Sequence, residues 1–148
     1  MQLTGERVIP ANIDKTWTAL NSPETLKACI KGCETLEQTS EDEFTAALKI
    51  RIGPVNAKFK AKLFLENVVP QKSYTIRFEG QGGIAGFGKG SADVVLQAHG
   101  DNATLLKYEA NANVGGKIAQ VGSRLVDSAA AKISEEFFTE FEKQLTES

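Results

Sequence analysis

The sequence FTAALKIRIGPVNAKFKAKL, residues 44–63, decides the fold class of this chain. Apolar residues occupy every second position on both sides of Gly53-Pro54, from Phe44 to Ile52 and again from Val55 onward. A period of two is typical of strands with one buried and one solvated face, and Gly-Pro favours a tight turn. The stretch therefore predicts two antiparallel strands with an apolar inner face and a basic outer face.

The same period continues on both sides of this stretch. From Glu34 to Val114, turn residues divide the chain into about six strands. A further strand, residues 3–9, precedes them and is followed by two helix starts: Asn12 or Asp14 as the cap of one, and Ser22 with Pro23 as the start of the next. We therefore expect an antiparallel seven-stranded sheet with two short helices after its first strand.

The last segment predicts one long helix from Lys117 to Leu145, after Gly115-Gly116. Apolar or small residues recur at every fourth position and form a stripe that is expected to wind along a twisted sheet: Val121, Leu125, Ala129, Ile133, Phe137, Phe141 and Leu145. Gly122, Ala129 and Ala130 are small where a filled core needs larger side chains, so they favour room beneath the first half of the helix. The alternative is close helix–sheet packing without a cavity.

Composition excludes several function classes. At 148 residues the chain is expected to form a single domain, residues 1–148. Its net charge of −2 disfavours nucleic-acid binding. The cysteines, Cys29 and Cys33, lack a second pair for a zinc site, and the single histidine, His99, lies in a predicted loop. The mixed polar opening and the lack of a run of about 18 apolar residues indicate a cytoplasmic protein with free thiols.

Two motifs narrow the fold to a family. The order of elements resembles the helix-grip architecture of the START and birch-pollen-allergen superfamily. VGGKIAQVGSRLV, residues 114–126, and GGIAGFGKGSA, residues 82–92, are similar to the start of the last helix and to the glycine-rich turn of the CoxG-like family, named after the CoxG subunit of carbon monoxide dehydrogenase. Trp17 to Pro23 and the Gly53-Pro54-Val55 link also agree, so the resemblance covers essentially the whole chain.

This resemblance implies a fold and a role. The expected fold is an α+β helix-grip fold, a curved antiparallel seven-stranded sheet wrapped around a long C-terminal helix. The implied role is that of an accessory protein without enzymatic activity or cofactor, which helps a molybdenum-containing carbon monoxide dehydrogenase or related hydroxylase engage the cytoplasmic membrane. A hydrophobic molecule, a quinone or a lipid, is the implied ligand. Some family members carry a C-terminal anchor, whereas this chain ends at Glu147-Ser148, so we expect any membrane contact to be peripheral or to run through a partner.

The candidate ligand cavity consists of inward-facing residues of the sheet and small or apolar residues of the long helix. Tyr74 and Tyr108 are its expected polar anchors for a ligand carbonyl. Plain core packing is the alternative for each residue. The candidates are Trp17, Leu48, Ile50, Phe59, Leu63, Tyr74, Phe78, Val94, Leu96, Tyr108, Gly122, Leu125 and Ala129.

The glycine-rich turn is a second candidate site. It lacks the GxxxxGK[ST] spacing of a phosphate-binding loop. Gly83, Ile84, Gly86 and Phe87 instead predict a lid or a membrane-touching tip, with a tight hairpin as the alternative.

Two further interpretations stay open. The outer-face cations Lys49, Arg51, Lys58, Lys60 and Lys62 are either a solvated face or a dock for an acidic partner or lipid headgroups. There are two alternatives to the ligand-binding role. The chain could be a surface-acting assembly factor with a filled core, or a cyclase or hydrolase of the same superfold. An enzyme of that kind needs an acid–base pair in the cavity.

Overall fold

A computed structural model describes residues 1–147, and Ser148, at the chain end, lies outside that range. The strands form one antiparallel sheet in the order β1-β7-β6-β5-β4-β3-β2. Consecutive strands pair from β2 to β7, which confirms the predicted meander and the α+β class. The strands are β1 (Gln2–Ile9), β2 (Cys33–Ser40), β3 (Glu43–Ile52), β4 (Val55–Val69), β5 (Ser73–Gln81), β6 (Phe87–Ala98) and β7 (Thr104–Gly115).

Two short helices follow β1, as predicted: α1 (Ile13–Leu20) and α2 (Pro23–Cys29). The Asn12 side chain caps α1 by accepting a hydrogen bond from the Lys15 backbone N–H at 2.9 Å. Ser22 caps α2 in the same way, and Pro23 occupies its first turn. These caps satisfy N–H groups that have no partner inside the helix, which is why both helices begin where the sequence indicates.

The C-terminal segment is not one continuous helix. A single turn, α3 (Lys117–Gln120), is separated from the long helix α4 (Ser123–Glu147) by a joint at Gly122. The φ angle of Gly122 is +101°, a conformation that glycine adopts without steric cost. The prediction of an unbroken helix from Lys117 is therefore wrong at this point, because Gly122 ends the first turn instead of extending it.

The face that α4 presents to the sheet also differs from the predicted stripe. Leu125 and Ile133 are 44% and 40% exposed, whereas Val126, Phe138 and Phe141 are buried. A four-residue repeat overshoots one helical turn by about 40° at each step. The stripe faces the core at Phe141 but, four repeats earlier in the chain, faces solvent at Leu125. The expected match between the winding of the stripe and the twist of the sheet is therefore not observed.

The second half of α4 covers a densely filled core. Phe138, Phe141 and Leu145 pack against inward-facing residues of β1, β5, β6 and β7 and against α1. Leu106 and Ile9 are almost completely buried at the centre of this cluster. The packed core thus lies beneath one half of the helix, and the other half faces a different environment.

Candidate functional site

The first half of α4 lies over an apolar cavity of about 270 Å³ between the helix and the inner face of the sheet. Val126, Ala129, Ala130 and Ile133 line it from α4, and Ile118 lines it from α3. The walls formed by the sheet include Leu48, Ile50, Ile52, Phe59, Leu63, Phe78, Ala112 and Val114.

The cavity exists because small residues meet across it. Gly80 on β5 and Gly88 on β6 are directly opposite each other in the sheet, and both line the cavity. They present no side chains to the two alanines of α4. The expectation of room beneath the first half of the helix therefore matches where this void lies.

Six of the predicted cavity residues line this void: Leu48, Ile50, Phe59, Leu63, Phe78 and Ala129. Five of them are strand residues at alternate positions of β3, β4 and β5, so the period of two placed them on the correct face.

Five other candidates lie in the packed core instead: Trp17, Tyr74, Val94, Leu96 and Tyr108. Trp17 and Tyr74 meet edge to face at 5.3 Å, and Tyr108 stacks on Phe138 at 5.2 Å. The Tyr108 hydroxyl accepts a hydrogen bond from the Ser134 hydroxyl at 3.0 Å. These residues face inward as expected, but α4 fills the space above them with phenylalanines, so the two tyrosines are not anchors within this void.

Gly122 and Leu125 are not among the residues that line the cavity. No atom comes within 4 Å of a Cβ placed on Gly122, so this residue is not a spacer against the sheet. The Leu125 side chain points toward Gly53 in the turn between β3 and β4, 3.3 Å from where a Gly53 Cβ would stand. The broken helix places both residues outside the void.

The glycine-rich tip packs against the cavity wall through Ala85. Residues Gly83–Ala85 form a single 3₁₀ turn, and Ala85 is buried together with Phe59 and Ile118. A Cβ on Gly86 would clash with the Gly115 carbonyl oxygen, and the φ angle of Gly86 is +118°. Gly86 is therefore required by a close approach between the tip and the start of α3.

The two apolar tip residues, Ile84 and Phe87, differ in how far they are exposed. Ile84 is 86% exposed, and no atom lies within 4 Å of a Cβ placed on the neighbouring Gly83. Phe87 is about half exposed and its ring lies against the backbone of Gly115. The tip thus has one buried residue, Ala85, packed on the cavity wall and one apolar side chain, Ile84, held in solvent.

A charged cluster on the inner face of β1 was not identified from the sequence. The Arg7 guanidinium forms ion pairs with Glu135, at 2.8 Å, and with Glu142. Hydrogen bonding to Glu142 and to Glu135 raises the pKa of Arg7 despite its partial burial. The alternation along Leu3, Gly5, Arg7 and Ile9 places Arg7 inward, so applying the period of two to β1 would have found it. The cluster joins the sheet edge to α4.

The ionisable side chains near the cavity do not point into it as an acid–base pair. Glu79 and Lys89 contribute to its margin, but both are exposed and lie opposite each other on β5 and β6. Both cysteines are free thiols, and burial raises the pKa of Cys29 to about 11. Within residues 1–147 no helix has the length and apolar character that crossing a membrane demands.

Comparisons with known proteins agree with this geometry. The family described as the CoxG subunit of carbon monoxide dehydrogenase matches residues 5–146. A conserved protein from Geobacillus kaustophilus is 30% identical, with a TM-score of 0.93 over 100% of this chain and 97% of that protein. No protein of curated function matches the chain.

More distant structures share the fold alone. A START superfamily protein from Mycobacterium smegmatis is 11% identical, with a TM-score of 0.75 over 99% of this chain and 97% of that protein. The Zhui aromatase/cyclase from Streptomyces sp. R1128 is 9% identical, with a TM-score of 0.68 over 99% of this chain and 93% of that protein. The seven-stranded sheet and long C-terminal helix are therefore a helix-grip fold that this chain shares with these structures.

Proposed function

Because this chain belongs to the CoxG family of carbon monoxide dehydrogenase subunits, we propose that it is a non-catalytic accessory protein that carries a quinone or a lipid in its apolar cavity. Its partner is a molybdenum-containing carbon monoxide dehydrogenase or a related hydroxylase. It acts in the cytoplasm, at the inner face of the membrane, through peripheral contact. The observation that carries the proposal is the void beneath the first half of α4.

The size and lining of the void suit an apolar ring or the end of an acyl chain. Ligand cavities usually measure about 300–1,000 Å³ and are lined mainly by apolar groups. At about 270 Å³ this cavity lies just below that range, and its walls are aliphatic and aromatic. The cavity holds only part of a quinone or lipid. In one arrangement the quinone ring occupies the cavity and the isoprenoid tail extends out of it; in the other, the tip moves outward and the cavity admits more of the ligand.

The glycine-rich tip is the proposed entrance. Its Ala85 packs against Phe59 and Ile118, which both line the cavity. Ile118 belongs to α3, which is flanked by Gly116 and Gly122, both with positive φ angles. Outward movement of Ala85 or of α3 opens this end of the cavity. Ile84, exposed at the same tip, provides an apolar contact for a membrane surface during transfer of the ligand.

The observations support binding over the two alternatives. In an assembly factor with a filled core, larger side chains in place of Gly80, Gly88 and Ala130 would add apolar burial and stabilise the protein. Small residues on both sides of the cavity therefore favour ligand binding. An enzyme needs an acid and a base positioned at the substrate. Glu79 and Lys89 are solvated at the margin, and the Arg7 cluster is engaged with α4.

Native mass spectrometry of the purified protein, followed by organic extraction, tests the proposal. We expect a co-purifying quinone or lipid in near-stoichiometric amount, released by denaturation. Apo protein that also fails to bind menadione or a fluorescent fatty acid contradicts carriage of a ligand. If the apo protein still associates with the dehydrogenase, that result favours the assembly factor.

A further inference from the structure

The outer face of the sheet, opposite the cavity, carries an unbalanced row of cations. Strand β4 contributes Lys58, Lys60 and Lys62, here called the lysine strip, and β3 adds Lys49 and Arg51. Lys49 and Lys58 are direct cross-strand partners. Like charges directly opposite each other destabilise a sheet, so the isolated protein bears a cost for this arrangement.

The chain itself does little to neutralise the strip. Among residues 1–146, Lys58 is the strip's only member with an ion pair, to Glu34 at 3.7 Å, and the two side chains are 70% and 41% exposed. Lys60 lies between Ala47 on β3 and Gln81 on β5, neither of them acidic. Lys62 lies opposite Glu79 on β5, but the two side chains form no ion pair among residues 1–146. An exposed pair such as Lys58 and Glu34 contributes at most a small stabilisation.

The strip lies in a groove and not on a flat surface. The groove has a volume of about 820 Å³, with Lys58, Lys60 and Lys62 along it, and it ends at Gly82 and Gly83 beside the tip. Two carboxylates border it, Glu37 on β2 and Glu79 on β5. The positive potential is thus confined to a line between two acidic margins.

We propose that this groove binds an extended acidic segment of a partner protein, whose alternate carboxylates pair with the lysine strip. Alternate residues of a strand are about 6.6–7 Å apart. Carboxylates at every second position of an extended segment therefore match the spacing of Lys58, Lys60 and Lys62. A planar anionic membrane fits less well, because it brings lipid headgroups against Glu37 and Glu79 as well as against the lysines.

Fluorescence anisotropy with a labelled heptapeptide of alternating glutamate and threonine tests this site. Binding should be measurable at roughly 0.01 M ionic strength and weaken at 0.15 M, since the Debye length falls from about 30 to about 8 Å. A peptide with glutamine in place of glutamate should not bind. Lys60→Glu with Lys62→Glu should weaken binding at least about tenfold.

A matched variant separates the groove from net charge. Lys72→Glu with Lys143→Glu changes the net charge equally at exposed positions outside the groove, and its affinity should stay within about twofold of wild type. Equal losses in both variants, or no peptide binding by wild type at low salt, overturn the proposal. Binding to phosphatidylglycerol vesicles that depends on Lys60 and Lys62, without peptide binding, also overturns it in favour of a lipid surface.

The cavity serves as an internal reference. Menadione binding should be the same in wild type and in the Lys60→Glu, Lys62→Glu variant, because the strip lies on the opposite face of the sheet. Loss of both menadione binding and peptide binding would mean that the variant is misfolded. The neutral variant Lys60→Gln with Lys62→Gln then replaces it as the test of the groove. Full peptide affinity in that neutral variant refutes the site.

Discussion

Ala130→Leu is expected to fill the cavity, stabilise the protein and block the ligand. Ala130 lies on α4 between Val126 and Ile133, which line the same void. Ala131, the next residue, is exposed and serves as the matched control. Both changes occur in the same helical turn and carry nearly the same change in helix propensity, so the difference between the two variants isolates the effect of the cavity.

The expected gain follows from the added carbon atoms. Leucine adds three carbons to alanine, and burial of each contributes about 0.8 kcal/mol, or about 2.4 kcal/mol in all. Fixing the leucine side chain costs about 0.5–1 kcal/mol. The net gain of about 1.4–1.9 kcal/mol raises Tm by roughly 3–8 °C for a chain of this length. Ala131→Leu should leave Tm nearly unchanged.

Urea denaturation and thermal melting measure stability, and menadione or fluorescent fatty acid binding measures occupancy of the cavity. We expect a more stable Ala130→Leu protein with at least about tenfold weaker ligand affinity, since the added side chain occupies the ligand's volume. A loss of about 1–3 kcal/mol, the usual cost of overpacking, refutes the existence of usable space. A stabilised variant that binds the ligand normally places the ligand elsewhere.

Three more changes test the tip, the joint between α3 and α4, and the buried thiol. Ile84→Ser should alter stability by under about 0.5 kcal/mol because the side chain is 86% exposed, while slowing ligand exchange with liposomes; a large fall in Tm would instead place Ile84 in a core. Gly122→Ala and Gly122→Leu should both lose about 1–2 kcal/mol in urea titrations, since the φ angle of +101° penalises any side chain while nothing lies within 4 Å of it; a much larger loss for Leu alone would reveal a clash. The burial that raises the pKa of Cys29 from 9.0 to about 11 stabilises the protein below pH 9, and this contribution should be lost as pH rises toward 11 because the unfolded thiol ionises first; equal pH profiles for Cys29→Ala and wild type would contradict this.

Local chemistry made the sheet and the first helices predictable. Alternation along β3 and β4 specifies which side chains face inward, since a slip of one residue would move every apolar group to the solvent face. Ser22 and Pro23 start α2 because the cap and the fixed φ angle act within one turn. These signals depend only on near neighbours in the chain.

The position of the cavity depends on non-local matching, which explains why only part of the predicted lining faces it. All inward residues satisfy the same alternation, whether α4 covers them with Phe141 or with Ala130. A finer signal was nevertheless present in side-chain size. The inward residues of β6 grow from Gly88 through Ala92 to Leu96, and the void lies at the small end. Comparing sizes along each strand, and not only polarity, would have excluded Val94 and Leu96.

Gly122 shows how the same residue supports two different arguments. A glycine inside a helix needs a steric reason, because it costs about 1 kcal/mol relative to alanine. With a φ angle of +101°, Gly122 is instead the joint that ends α3, and this requirement is conformational. The room over the sheet then has to come from residues within α4, and Ala129 and Ala130 provide it. Any side chain at position 122 therefore acts on the joint between α3 and α4, whereas a larger residue at position 130 acts on the volume of the cavity. If the joint serves the proposed entrance, exchange rate and affinity measured on the same variants separate the two effects.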